Sequence, residues 1–214
     1  MKKIVLIGDS IRLGYDKFIR DAFDGIAEVY SPEENCRFAE YVLRYASEWK
    51  ISGGWPDDID VVHYNAGLWD VLRLFDDEPL TPIDAYANFI ARVDKRLRML
   101  FPKAKIIFAT NTAVVEDGYS GTFKRFNHEI RAYNNVALDA LKQSGTEIND
   151  LYAVTENLPK ECLSDMTHFN TEAGVRAVGG KVLSVLCEAL GIDEKQLDKT
   201  RAEIKKIDDK TLGF

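Results

Sequence analysis

Short apolar runs alternate with helix-length amphipathic segments along almost the whole chain, and no other property restricts its fold as severely. The runs Ile4 to Ile7, Ile26 to Tyr30, Ile59 to Tyr64, Lys105 to Ala109 and, more weakly, Glu147 to Leu151 are rich in β-branched residues and bounded by Gly, Asp or Asn. Between them, Arg12 to Phe23, Phe38 to Trp49, Ala85 to Phe101 and Phe123 to Leu141 repeat apolar residues every three or four positions, which is helical spacing. Parallel strands need a crossover between them, and continuous apolar strands need cover on both faces. The pattern therefore predicts an α/β fold: a three-layer α/β/α sandwich around a five-stranded parallel sheet, flavodoxin-like in plan. Ligands in such sheets lie beyond the carboxyl ends of the strands. Those ends are Gly8-Asp9-Ser10, Ser31 to Arg37, Asn65-Ala66-Gly67, Thr110-Asn111-Thr112 and the loop from Tyr152 to His168.

A last long helix is expected from Thr171 to Leu190, capped by Asn170 and ended by Gly191. We read residues 1–192 as one domain. Residues 193–214 are a charged helical extension of it, with Leu197, Ile204, Ile207 and Leu212 as its few apolar points. That extension reads equally as a surface helix and as an arm for homo-oligomerisation.

The formal charge of −7 argues against nucleic acid and anionic membranes as partners, because both select basic surfaces. No apolar stretch approaches the roughly 20 residues of a membrane span, and the run after Lys2-Lys3 is too short for a signal-peptide core, so a cytoplasmic location is expected. Cys36, Cys162 and Cys187 are odd in number and lack CxxC spacing, and His63, His128 and His168 are scattered. Neither a disulfide framework nor a metal site is expected, and no cofactor motif of the GxGxxG or GxxxxGK[ST] type occurs.

Ser10 stands where the first strand turns into a helix, so the free amides of the first turn would meet negative charge developing near its hydroxyl. The same position also suits a plain helix cap, and Asp9 suits a turn or capping carboxylate. A serine needs a base to take its proton, and histidine is suited to that task. His63 lies within the apolar run Val61-Val62-His63-Tyr64 and reads as a core imidazole, while His128 lies among Lys124, Arg125 and Glu129 and reads as solvated. His168 remains, in a loop before a helix, and Asp165 three residues earlier is placed to bond its Nδ1 or to cap the backbone.

With Gly8-Asp9-Ser10 at one end and Asp165-x-x-His168 followed by Phe169-Asn170-Thr171-Glu172-Ala173-Gly174 at the other, the chain resembles the GDSL or SGNH hydrolases. The resemblance implies the SGNH hydrolase fold and an esterase or acylhydrolase with a Ser10-His168-Asp165 triad. Its substrates would be small esters, foremost short acyl (acetyl) groups on a carbohydrate, cleaved through an acyl-enzyme without a cofactor. The family places a glycine N–H and an asparagine side chain in the oxyanion hole beside the serine. Here the matching stretches read Pro32-Glu33-Glu34-Asn35-Cys36-Arg37 and Asn65-Ala66-Gly67-Leu68-Trp69-Asp70, with Trp69 at the asparagine position. The hole then falls to the N–H of Ser10, the N–H of Cys36 and the side chain of Asn65, with Trp69 as a wall of the pocket or a packing residue. Two other readings stay open: a flavodoxin-like module that holds a phosphate at the Gly8-Asp9-Ser10 turn, and a relative that binds without turnover.

Overall fold

A computed structural model of the chain describes residues 1–119 and 122–197. Among them, the strands are β1 (Lys2–Ile7), β2 (Ala27–Tyr30), β3 (Val61–Tyr64), β4 (Arg73–Leu74), β5 (Lys105–Ala109), β6 (Phe123–Lys124) and β7 (Glu147–Asn149). The helices are α1 (Ser10–Ala22), α2 (Ala39–Ser52), α3 (Ile83–Leu100), α4 (Asn127–Leu141), α5 (Leu151–Thr155) and α6 (Glu172–Leu190). Five strands form one sheet in the order β2-β1-β3-β5-β7, and every pairing within it is parallel.

The apolar runs are continuous because both faces of this sheet are covered. Helices α1 and α6 pack together on one side, and α3 packs between α2 and α4 on the other. Ile4 to Ile7 and Val61 to Tyr64 are sealed from solvent, whereas the edge strands carry the exposed Glu28 and Ile148. Strand β1 is interior and lies beside the middle strand, β3.

Several boundaries depart from the sequence expectation for local reasons. Helix α4 starts at Asn127 and not at Phe123, because Phe123 and Lys124 pair antiparallel with Leu74 and Arg73. Strand β7 stops at Asn149, where the Asp150 side chain accepts from the Ala153 N–H and turns the chain into α5, so Leu151 is helical. The cap of α6 is Thr171 and not Asn170: Thr171 Oγ1 accepts from the Gly174 N–H at 3.1 Å. Gly191 ends that helix as expected, in the left-handed conformation at φ 68°. Beyond it the chain makes one 3-10 turn, Glu194–Gln196, and most of the expected C-terminal helix lies outside the described residues.

The first turn of α6 is pressed against the loop that carries His168. A Cβ added at Gly174 would lie 2.0 Å from the Cys162 carbonyl oxygen and 2.8 Å from that of Phe169, so only glycine permits this approach. Gly180, on the same helix, has nothing within 4 Å of such a Cβ. The same substitution should therefore act with opposite signs: Gly174→Ala lowers stability by roughly 2 kcal/mol or more through overpacking against backbone, while Gly180→Ala raises it by up to about 1 kcal/mol through helix propensity. Urea unfolding of the two variants checks both signs.

Candidate active site

The strand-to-helix turn at the end of β1 assigns different tasks to neighbouring residues. Asp9 is the N-cap of α1, and its Oδ1 accepts from the Ile11 N–H at 3.0 Å. Ser10 is therefore the first residue inside the helix rather than its cap, and its hydroxyl is left for other work. Asp9 is fully buried, which pushes its carboxyl pKa up, against the opposing pull of the Asn65 amide, the Ile11 N–H and the charges of Arg125 and His168.

His168 Nε2 lies 2.9 Å from Ser10 Oγ, although the two residues are 158 positions apart. On the other side of the ring, Nδ1 lies 2.6 Å from Asp165 Oδ2. The two sequence readings of Asp165 hold together, because Oδ1 accepts from the N–H groups of Thr167 at 2.6 Å and His168 at 2.8 Å. Burial alone would raise the Asp165 carboxyl, but the His168 ring and these two amides hold its pKa below the usual carboxylate range. An ionised acceptor on Nδ1 favours the tautomer that leaves Nε2 free to accept from a hydroxyl. Both Ser10, 4% exposed, and His168, 2% exposed, are recessed from bulk solvent.

The other histidines take no part. His63 is fully buried, faces the edge of the Tyr15 ring, and shares a 3.0 Å hydrogen bond between its Nε2 and the Asn149 amide. Burial pushes its pKa down to about 3. His128 is exposed on α4.

Of the three residues expected around an oxyanion, two have an N–H group with no partner among the described residues. The Ser10 N–H belongs to the open first turn of α1. Asn65, at the end of β3, lies against Gly8, and its Nδ2 donates to Asp9 Oδ1 at 3.0 Å, which leaves the second hydrogen of that amide uncommitted. Cys36 is the correction: its N–H donates to the Gly8 carbonyl at 3.1 Å and is not available to a substrate. Backbone pairing of this loop to β1 could not be read from the loop's own residues. Its thiol is buried and pushed up to about 11. Trp69 is half-buried and packs edge-on against Phe38, with ring centroids 5.7 Å apart. The next residue, Asp70, accepts from the Ala39 N–H at the start of α2, and burial pushes its carboxyl up to about 7.

One residue near this group escaped sequence reasoning. Arg125 is not part of a solvated helix: it is 4% exposed, just after β6, and its Nε donates to the Leu68 carbonyl at 2.6 Å. Its Nη1 lies 3.5 Å from Oγ1 of Thr167, the residue before His168, and that oxygen is also 2.7 Å from the Tyr119 hydroxyl. The only sequence signal is an arginine next to aromatic residues, Phe123 and Phe126, which is too common to single it out.

Solved structures that superpose on this chain share both its topology and its length. A lipase/acylhydrolase from Enterococcus faecalis matches with a TM-score of 0.66 at 18% identity, over 94% of this chain and all of the other. A putative acylhydrolase from Bacteroides fragilis matches with a TM-score of 0.68 at 17% identity, over 88% of each chain. A catalytic mutant of an acetylxylan esterase from Geobacillus stearothermophilus matches with a TM-score of 0.63 at 15% identity, over 90% of this chain and 95% of the other. The chain has the SGNH hydrolase fold. Its structural neighbours in that fold are GDSL-like lipases, acylhydrolases and acetyl xylan esterases. A scan of protein-family models and a search of curated proteins each find no match.

In this SGNH hydrolase fold the buried neutral His63 has a measurable signature. The unfolded chain takes up a proton near pH 6.5, whereas the native ring resists until about 3, so this contribution to stability is full above 6.5 and is lost as pH falls toward 3. Unfolding free energy measured in urea should drop over that window by up to about 5 kcal/mol. His63→Leu should flatten that part of the curve, and an unchanged slope in the variant would contradict the assignment.

Proposed function

We propose that this protein is a serine ester hydrolase of the GDSL/SGNH type. The observation that carries the reading is the unbroken line from Asp165 Oδ2 through the His168 ring to Ser10 Oγ, with contacts of 2.6 and 2.9 Å. Ser10 Oγ attacks the ester carbonyl as His168 Nε2 takes its proton. His168 returns that proton to the departing alcohol, and an acyl-enzyme on Ser10 remains. Water then attacks the acyl-enzyme with His168 again as base, releasing the acid and restoring Ser10. Asp165 stays ionised throughout, holding the ring's orientation and stabilising the imidazolium.

Charge on the tetrahedral oxygen is met by the Ser10 N–H at the positive end of α1 and by the second Nδ2 hydrogen of Asn65. Short acyl groups, acetyl first, on a carbohydrate or a similar small alcohol are the substrates we favour. Acetyl xylan esterases among the structural neighbours support that preference. The phosphate-binding alternative is disfavoured at the same turn, because the Ile11 amide already serves the Asp9 carboxyl.

The purified protein is expected to hydrolyse p-nitrophenyl acetate, with Ser10→Ala and His168→Ala both reduced to near-background rates, since members of a triad act as a unit. Equal rates for the wild type and Ser10→Ala would remove Ser10 as nucleophile and leave a non-catalytic relative as the better reading.

A further inference from the structure

Arg125 is a buried cation that the mechanism above does not use. Arg12, also buried, bonds Asp16 at 2.9 Å, and the half-buried Arg73 and Arg98 pair with Glu129 and Asp94. Arg125 makes two hydrogen bonds, both to neutral oxygens, and no carboxylate among the described residues lies within ion-pair distance of it, although its charge reaches the buried Asp9 carboxyl. Taking a guanidinium out of water costs several kcal/mol unless an anion compensates, and Asp9, whose carboxyl burial pushes toward its neutral form, is a weak counter-charge with no hydrogen bond to it. Its Nη2 has no hydrogen-bond partner among the described residues, yet it is not one of the unpartnered atoms sealed from solvent. That atom is therefore touched by solvent.

The place where this happens is specific. Leu68, which holds Nε, belongs to the loop after β3 that also carries Asn65, and Thr167, which holds Nη1, precedes His168. Strands β4 and β6 pair to deliver Arg125 to this position, and the Arg73–Glu129 ion pair ties β4 to the start of α4 just beyond it. The guanidinium is thus clamped between two of the loops that form the site, with both Nη2 hydrogens and one Nη1 hydrogen left without a partner among the described residues. Two parallel N–H groups on one planar cation match the two oxygens of a carboxylate.

We propose that Arg125 is a specificity residue that binds a free carboxylate on the substrate, so that the preferred ester is an anion carrying its acid group close to the scissile carbonyl. The inference rests on the ester-hydrolase reading above and narrows its substrate class. It also accounts for a buried guanidinium that hydrogen-bonds no carboxylate and is held against the residue before His168.

Two pairs of esters, each differing only in the charge, test it. Monomethyl glutarate against dimethyl glutarate places the carboxylate on the acyl side, and 4-acetoxybenzoate against its methyl ester places it on the alcohol side. The wild type should favour the charged member of at least one pair by roughly tenfold to a hundredfold in kcat/KM, the range for hydrogen bonds to a charged partner. In Arg125→Met and Arg125→Gln that ratio should collapse to near one through a higher KM for the charged ester, with Arg125→Lys between. No preference for charge in either pair, or a preference that survives in both variants, overturns the proposal.

A binding arm separates this failure from failure of the hydrolase reading. Glutarate should raise the melting temperature of the Ser10→Ala protein, and it should not do so when Arg125→Gln is added. If no ester is hydrolysed, the catalytic reading falls and the glutarate shift decides Arg125 by itself: equal shifts with and without Arg125 overturn it.

Discussion

The packing of α6 against α1 is the constraint on which everything at the site depends. Helix α1 begins at Ser10, and α6 begins four residues after His168, so the contact between these two helices brings the chain's first and last loops together. Gly174 lets the first turn of α6 sit directly on the carbonyls of Cys162 and Phe169, which leaves the His168 loop no freedom to drift outward. A hydrogen bond of 2.9 Å between groups 158 residues apart is only as precise as the packing behind it.

Around that contact the polar groups divide the work with little duplication. Asp9 caps α1 and accepts from Asn65, which spares the Ser10 hydroxyl from a capping role. Asp165 uses one oxygen for two backbone amides and the other for the imidazole. Arg12, buried, reaches the Glu34 carbonyl at 2.7 Å and Asp16 at 2.9 Å, and so pins the loop after β2 to α1. The side facing Arg125 is the exception, since a buried guanidinium is present there with no carboxylate hydrogen-bonded to it.

The sheet was legible because strands buried on both faces must be uniformly apolar, and Ile4 to Ile7 or Val61 to Tyr64 can hardly be anything else. The grouping of Asp165 with His168 was legible because three residues of loop keep them within reach whatever the rest of the chain does. The two-residue strands β4 and β6 were invisible, since a pair of residues has no period to detect, and with them went the true start of α4 and the burial of Arg125. The engagement of the Cys36 N–H was equally hidden: backbone amides are identical in every residue, and only their partners in space decide whether they are free.

From its own order of residues, then, this chain determined a layered α/β architecture, the helix-start position of Ser10 and the local pairing of Asp165 with His168, because each follows from hydrophobic periodicity or from covalent proximity. Tertiary structure alone decided that Ser10 meets His168, that Asn65 turns toward Asp9, that Cys36 is committed elsewhere, and that Arg125 is buried against Leu68 and Thr167 with no carboxylate bonded to it. Those outcomes depend on which distant surfaces pack together and on where that packing leaves charge and hydrogen-bond donors without a partner.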